Sequence, residues 1–137
     1  TPVDIKYRPS IEQDLWDKLV FLSTLAGVTC LIRADIGTVL ETEHGRRLIL
    51  DLLDECSAIA KAEGFAPNPD QMARYRQQLT EQGSPSKASM LRDIERSAPT
   101  EADHILGDML ERATKYDIPV PLLNVAYTHL QAYELQL

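Results

Sequence analysis

The chain has 137 residues, of which 44% are hydrophobic and 26% charged, and its formal net charge is −7. A chain of this length can bury roughly 68% of its unfolded surface, which is typical of one globular domain. The chain is acidic and contains no block of Lys and Arg residues to offset that charge, which argues against a nucleic-acid-binding surface.

Cysteine content and hydropathy narrow the class further. Cys30 and Cys56 both lie among apolar residues, which predicts buried, reduced thiols in a cytoplasmic protein rather than a disulfide framework. The sequence contains no uninterrupted apolar run of about 18 residues, so we expect no membrane span.

The first predicted helix runs from Ser10 to Gly27, with Ser10 and Gln13 forming a capping box. At roughly 100° per residue, one stripe of this helix is apolar. Its members are Leu15, Leu19, Leu22, Leu25 and Ala26.

Lys18 falls inside that apolar stripe, one turn after Leu15 and one turn before Leu22. An ammonium held there loses hydration, so its pKa is expected to fall, and a poised lysine can donate a proton in catalysis. The alternative is that the aliphatic stem packs on the stripe while the charge reaches water.

Capping and proline signals predict five further helices after a less regular stretch to about Thr42. They are expected at about 43–63, 69–83, 84–96, 100–116 and 121–133. The signals that set these boundaries are the stop at Gly64, the cap and first residue at Asn68-Pro69 and Ser84-Pro85, and a capping box of Thr100 with Asp103. No segment alternates with period 2, so we predict an all-α domain of about six helices in a compact bundle.

Several kinds of chemistry have no support in the sequence. The six glycines lie far apart, so the chain has no G-x-G-x-x-G turn and no Rossmann-type dinucleotide site of its own. The three histidines, His44, His104 and His129, are isolated from one another and from cysteine, and no metal site is expected.

Three polar residues near helix starts are candidates for a functional site. Ser89 and Asp93 lie four positions apart, so they share one helix face. Glu101 lies in the first turn of the fifth predicted helix, where the helix dipole favours its ionised form. Each also has an ordinary interpretation, because first-turn carboxylates stabilise helices and a Ser/Asp pair is usually solvated.

Four strings, taken in order and spacing, carry a family resemblance. They are Trp16–Leu19 (WDKL), Ser89–Ile94 (SMLRDI), Pro99–Glu101 (PTE) and Lys115–Pro121 (KYDIPVP). From about Arg8 to Glu134 the chain resembles the C-terminal helical domain of ketopantoate reductase (2-dehydropantoate 2-reductase), similar to the helical domains of 6-phosphogluconate dehydrogenase-like reductases.

The resemblance implies that residues 1–137 are the catalytic and substrate-binding domain of a two-domain cytoplasmic enzyme of pantothenate biosynthesis. An N-terminal Rossmann domain outside this chain would bind NADPH and close over it, and a homodimer is a further expected assembly. By resemblance Lys18 is the general acid and Ser89 binds the 2-oxo-acid substrate. Asp93 supports substrate binding, and Glu101 belongs to both the catalytic and the cofactor side of the cleft.

The sequence also departs from the family pattern. Leu22 and Ala26 stand where the family commonly has asparagines, and Leu106 replaces an asparagine before Gly107. These changes fit a more apolar 2-oxo acid, or a lost activity, better than ketopantoate itself. The alternative function is therefore a non-catalytic helical module for dimerisation or partner binding, with relic active-site residues.

Overall fold

The computed structural model describes the backbone of residues 2–137 and the side chains of residues 11–137. Within residues 2–137 it contains seven α-helices, one π-helical turn and no strand, which confirms the predicted all-α class. The elements are α1 (Pro2–Ile32), α2 (Ile36–Glu41), α3 (Gly45–Ala62), α4 (Pro69–Leu79), α5 (Ser89–Glu95), the π turn (Asp103–Gly107), α6 (Asp108–Lys115) and α7 (Pro121–Leu135).

Helix α1 is the centre of the bundle and packs against α3, α5 and α7. Gly27 makes the closest of these approaches possible. A Cβ at that position would lie 2.6 Å from Cδ2 of Leu52 on α3 and 3.8 Å from Cβ of Ala126 on α7. Because both neighbours are fully buried or nearly so, the core is continuous across the three helices.

The apolar composition of α1 corrects the expectation that no segment is apolar enough to span a membrane. Residues Ile11–Ile32 meet that requirement by length and composition, while half of the segment is buried inside the fold. A central core helix needs the same composition, so the position of α1 in the bundle accounts for it.

The start and end of the first helix differ from the prediction. Helix α1 continues across Ser10, so a capping box does not mark a helix start there, and the Ser10 side chain lies outside the described residues. Gln13 instead donates hydrogen bonds to Asp17 Oδ1 (2.9 Å) and to the carbonyl oxygen of Ala66 (3.0 Å). At its other end α1 continues past Gly27 to Ile32. A helix tolerates an interior glycine, and the missing side chain allows neighbouring helices to pack closely.

The stretch predicted to be irregular contains a short helix, α2. Asp35 caps it by accepting a hydrogen bond from the backbone N–H of Thr38 at 2.8 Å. This Asp35 cap lies only three residues after the end of α1. Apolar periodicity alone could therefore not show where α1 ends and α2 begins.

The boundary signals at Gly64 and Asn68 are confirmed. Gly64 follows α3 with φ +94°, the left-handed conformation that glycine adopts at little cost. The Asn68 side chain accepts from the backbone N–H groups of Asp70 (3.0 Å) and Gln71 (3.3 Å), and Pro69 is the first residue of α4.

The predicted helix start at Ser84-Pro85 is wrong, because α5 begins at Ser89. Ser84 is buried, and its backbone carbonyl accepts a hydrogen bond from Gly37 N at 2.8 Å. Its hydroxyl oxygen accepts from Ser86 N at 3.2 Å. The Ser84-Pro85 sequence resembles a helix cap, but here it anchors this loop to α2 and does not begin a helix.

The predicted capping box at Thr100 and Asp103 is half right. Thr100 Oγ1 accepts from Ala102 N at 3.3 Å, as a capping hydroxyl does, and donates to Glu134 at 2.7 Å. Asp103 does not reach back to Thr100, because its carboxylate accepts a hydrogen bond from the hydroxyl group of Tyr127 on α7. The helix that follows starts as a π turn before it becomes α6.

Candidate functional site

Lys18 lies on an exposed side of α1. The apolar stripe predicted around it divides in two: Leu25 and Ala26 are buried, whereas Leu15 is 62% and Leu22 39% exposed. The prediction that the stripe as a whole dehydrates Lys18 is therefore wrong for this chain, because its side chain faces solvent between two exposed leucines.

The residue before Lys18 is the buried one. Asp17 is 2% exposed, and its Oδ1 accepts from Gln13 Nε2 at 2.9 Å and from the backbone N–H of Asn68 at 3.4 Å. The carboxylate thus ties α1 to the turn that starts α4. The sequence pattern gives Asp17 no role of its own, because charged residues such as Glu12, Asp14 and Lys18 also occur in α1 and only the structure shows which of them is buried.

A cluster around Trp16 fixes the other side of α1 at the level of Lys18. The Trp16 ring stacks on Phe65, with centroids 6.2 Å apart, and the guanidinium carbon of Arg112 lies 5.1 Å from the Trp16 centroid. Arg112 Nε donates to Asp108 at 2.9 Å, and Nη1 donates to Glu63. This Trp16 cluster joins α1 and α6 to the segment that directly follows α3, and it fixes the backbone of α1 on the side away from Lys18.

The charge on Glu63 is stabilised within that cluster. A hydrogen bond from the Tyr116 hydroxyl, followed by the nearby Arg112 guanidinium, holds the pKa of Glu63 below its ordinary value of 4.5. The same carboxylate lies 4.0 Å from Lys115 Nζ. The sequence pattern does not single out Arg112, because two of its partners, Glu63 and Trp16, are 49 and 96 positions away.

Ser89 is exposed and is the first residue of α5. Its position is set by the preceding residue, since Ala88 N donates to Thr29 Oγ1 on α1 at 3.2 Å. Asp93 is in the same helix, as predicted, and is partly buried. Its Oδ1 accepts a hydrogen bond from the Arg96 guanidinium at 2.7 Å, so this carboxylate has a partner near the C-terminal end of α5.

Glu101 is exposed in the segment between α5 and the π turn. Its carboxylate makes no hydrogen bond or ion pair with the side chains of residues 11–137. Thr100, immediately before it, is fixed by Glu134 on α7 through its backbone N–H (2.5 Å) and its hydroxyl. Lys18, Ser89 and Glu101 are all exposed. Lys18 lies on α1, Ser89 lies on α5, which contacts α1, and Glu101 precedes the π turn, which also contacts α1. The structure thus shows these three residues at the surface, and their predicted convergence on one cleft stays a prediction.

An open groove of about 890 Å³ lies along the π turn, α6 and α7. Neither Lys18, Ser89 nor Glu101 lines it. Its polar lining comes mainly from Asp103, His104, Asp108, Glu111, Tyr127 and Gln131. The hydrogen bond to Asp103, followed by burial, raises the pKa of Tyr127, which makes this hydroxyl a fixed donor.

Neither a metal nor a dinucleotide has a complete site in the described part of the chain. No group of three His, Cys, Asp or Glu side chains among residues 11–137 could hold a metal ion. Residues 2–137 also contain no strand leading into a glycine-rich turn, which the phosphate groups of a dinucleotide require.

Comparison with known proteins gives consistent matches over this fold. The family described as "Ketopantoate reductase PanE/ApbA C terminal" matches residues 10–134. The uncharacterized oxidoreductase YkpB of Bacillus subtilis strain 168 is 34% identical over 126 residues, which cover 92% of this chain and 42% of the relative. The 2-dehydropantoate 2-reductase of Salmonella typhi is 27% identical over 118 residues, covering 86% of this chain and 38% of the relative.

A solved structure agrees with the sequence relatives. The dimeric ketopantoate reductase of Staphylococcus aureus superposes with a TM-score of 0.81 and 25% identity, covering 92% of this chain and 44% of that chain. The fold and the family match thus define a class, the helical C-terminal domain of oxidoreductases. The chain belongs to the ketopantoate reductase family and spans about two fifths of the length of the relatives it matches.

Proposed function

We propose that the whole protein reduces a 2-oxo acid to a 2-hydroxy acid with NADPH, and that residues 1–137 supply its catalytic and substrate-binding domain. The observation that carries this proposal is Lys18, exposed and held from behind by the Trp16 cluster, in a domain of the ketopantoate reductase family. The relative from Salmonella typhi, described as a 2-dehydropantoate 2-reductase, supports the reaction type.

Lys18 is the proton donor in this mechanism. Its ammonium hydrogen-bonds to the carbonyl oxygen of the substrate, stabilises negative charge as it develops there, and transfers a proton to it. A bound reduced nicotinamide supplies the hydride that C2 receives. The carbonyl thereby becomes a secondary alcohol, and Lys18 is left neutral until water reprotonates it.

Ser89 and Glu101 orient the reactants in the same proposal. The exposed Ser89 hydroxyl can donate to a substrate oxygen, and Asp93, one turn further along α5, supports that position. The Glu101 carboxylate accepts a hydrogen bond from a hydroxyl group of substrate or cofactor. Such contacts contribute by holding the carbonyl in reach of Lys18 rather than by reacting themselves.

The assembly that this reaction needs extends beyond the described residues. Because they form no phosphate-binding turn, we propose that an N-terminal Rossmann domain of the same protein binds NADPH and closes over α1. We further propose a homodimer in the cytoplasm, with a role in pantothenate biosynthesis. The reported dimer of the Staphylococcus aureus relative and the two reduced, buried cysteines support this setting.

The proposal is tested by steady-state kinetics of the full-length protein, following oxidation of NADPH and of NADH with a panel of 2-oxo acids. Ser89→Ala and Glu101→Gln should each lower kcat/KM by about tenfold or more, since each removes a reactant contact. Ser86→Ala and Glu41→Gln, both at exposed positions, are the matched controls. Equal effects from the control and test variants would contradict the assigned roles.

A non-catalytic assembly module is the second candidate function. Exposed Leu15 and Leu22, together with the missing asparagines, favour it, because neighbouring apolar side chains on the exposed face of a helix are typical of a protein interface. This candidate predicts no turnover of any 2-oxo acid by the full-length protein. It also predicts that Leu15→Asp weakens self-association or partner binding, whereas the reductase proposal predicts measurable turnover.

A further inference from the structure

The segment that leads from α5 to Glu101 has few backbone attachments of its own. Ala98 N donates to the carbonyl oxygen of Asp93 at 2.8 Å, so the chain up to Ala98 stays attached to the end of α5. Pro99, which follows, has no N–H to donate. The next backbone donor is Thr100 N, directly before Glu101, and its partner decides how this part of the chain is held.

That partner is Glu134, on the last turn of α7. Its Oε1 accepts from Thr100 N at 2.5 Å and from Thr100 Oγ1 at 2.7 Å. Thr100 Oγ1 in turn accepts from Ala102 N at 3.3 Å. The residues on both sides of Glu101 are therefore fixed by one carboxylate and one hydroxyl group.

We propose, as an extension that rests on the proposed function, that Glu134 is a positioning residue for Glu101. It acts through Thr100 and contacts neither substrate nor cofactor. Hydrogen bonds to a carboxylate are stronger than those between neutral groups, and partial burial of Glu134 and Thr100 limits competition from water. With its backbone fixed, Glu101 has only its own side chain to order when it binds a hydroxyl group of substrate or cofactor, which lowers the entropic cost of that contact.

Glu55 on α3 makes the same kind of contact elsewhere in the fold and provides a matched control. Its two carboxylate oxygens accept from Leu122 N at 3.1 Å and from Leu123 N at 2.9 Å, at the start of α7. Like Glu134, it is partly buried. A purely structural role of Glu134 predicts that removing either carboxylate has the same consequences, whereas positioning of Glu101 predicts different kinetics.

The test is a double-mutant cycle of Glu134→Ala and Glu101→Ala on the full-length protein, with NADPH and the 2-oxo acid that the parent reduces fastest. Glu134→Ala should lower kcat/KM by about tenfold, because a misplaced contact loses most of its value. It should raise the same KM, that of NADPH or that of the 2-oxo acid, as Glu101→Ala does. In the Glu101→Ala background its further effect should be less than about twofold, since the group that it positions is gone.

Two further variants complete the experiment. Glu134→Gln keeps the acceptor oxygen and should restore kcat/KM to within about threefold of the parent. Glu55→Ala should leave both KM values nearly unchanged in either background. Circular dichroism and urea denaturation check that the variants are folded and that Glu134→Ala and Glu55→Ala are destabilised to a similar extent. If Glu134→Ala does not fold, Glu134→Asp replaces it with the same expected coupling, because it keeps the charge but withdraws the carboxylate by one methylene.

The outcomes separate this inference from the proposed function. An undiminished effect of Glu134→Ala in the Glu101→Ala background, an equal effect of Glu55→Ala, or no effect of Glu134→Ala would overturn the positioning role while the reductase activity stands. If the full-length protein reduces no 2-oxo acid with either NADPH or NADH, the proposed function itself fails and the inference fails with it.

Discussion

At the scale of single residues, Asp17 and Lys18 are adjacent in sequence but differ in role: Asp17 stabilises the fold, and Lys18 is the proposed proton donor. A rotation of roughly 100° around α1 separates their side chains. Asp17 is directed into the domain, where it receives two hydrogen bonds, and Lys18 is directed outward. Of these two adjacent charged residues, Asp17 is therefore a buried anchor and Lys18 a candidate proton donor.

The anchor gives the first prediction. Asp17→Ala should lower the free energy of unfolding by about 1–3 kcal/mol, because it leaves the Asn68 N–H and the Gln13 amide without their buried acceptor. Urea denaturation of the chain measures the change. Asp14→Ala, at an exposed position of the same helix, is the control and should change stability by less than about 0.5 kcal/mol. Equal destabilisation by both would contradict the anchor.

The two cysteines give a second prediction at the residue scale. Burial raises the pKa of the Cys30 and Cys56 thiols from 9.0 to about 12. Both should therefore be unreactive toward a disulfide reagent at pH 8 in the folded chain and react fully after unfolding. Since their folded pKa values are raised, the stability they contribute is complete below pH 9 and is lost as the pH rises toward 12. Rapid native-state labelling would contradict the described burial.

At the scale of secondary-structure elements, the Arg112 guanidinium of the Trp16 cluster joins α6 to α1 and to Glu63, the residue that follows α3. Arg112→Met should destabilise the chain by about 1–2 kcal/mol, a value reduced by partial solvent exposure of the pair. Arg47→Met is the control, because Arg47 forms only a surface pair with Asp51 on α3. Urea denaturation at neutral pH distinguishes them, and an equal effect of the two substitutions would count against the cluster.

The same cluster predicts a pH dependence. The folded pKa of Glu63 is depressed, so its contribution to stability is present above the ordinary value of 4.5 and is lost as the pH falls through the folded pKa. Thermal unfolding from pH 7 to pH 3 should show a decline below pH 4.5 that is smaller in Glu63→Gln. An unchanged pH profile in that variant would show that Glu63 is not the responsible carboxylate.

Element boundaries were predictable where the signal and its partner are local. Asn68, Pro69 and Gly64 act within one turn of the chain, so their roles could be inferred from sequence. Ser84-Pro85 has the same local appearance, yet Ser84 bonds to Gly37, 47 positions earlier. Long-range partners of this kind override a local capping preference, and the π turn before α6 likewise depends on contacts with α7.

At the scale of the whole molecule, the helical class could be predicted from sequence pattern and resemblance, whereas the exposure of residues along α1 could not. Periodicity predicts that Leu15 and Leu22 share a face with Leu25, but it cannot tell which part of that face the domain covers. In the structure the buried part begins near Ala26 and the open part surrounds Lys18. The roles of Lys18, Ser89, Asp93 and Glu101 remain predictions.

A further prediction concerns the chain without other domains. The 137 residues should fold alone, with a far-ultraviolet circular dichroism spectrum dominated by helix, because α1, α3 and α7 share a continuous core. They should not bind NADPH, since they contain no phosphate-binding turn. Isothermal titration calorimetry checks this, and micromolar binding would require a site that the described helices do not provide.

The central claim is that Lys18 donates the proton in reduction of a 2-oxo acid. The most direct measurement is a set of pH–rate profiles for the full-length parent protein, Lys18→Ala and the control Lys61→Ala, which changes an exposed lysine of α3. Lys18→Ala should lower kcat by about 10²–10⁴ at every pH measured, with nearly unchanged NADPH affinity, whereas Lys61→Ala should leave kcat nearly unchanged. Near-normal turnover by Lys18→Ala on every substrate that the parent reduces would contradict the claim and leave Lys18 as a solvated surface lysine.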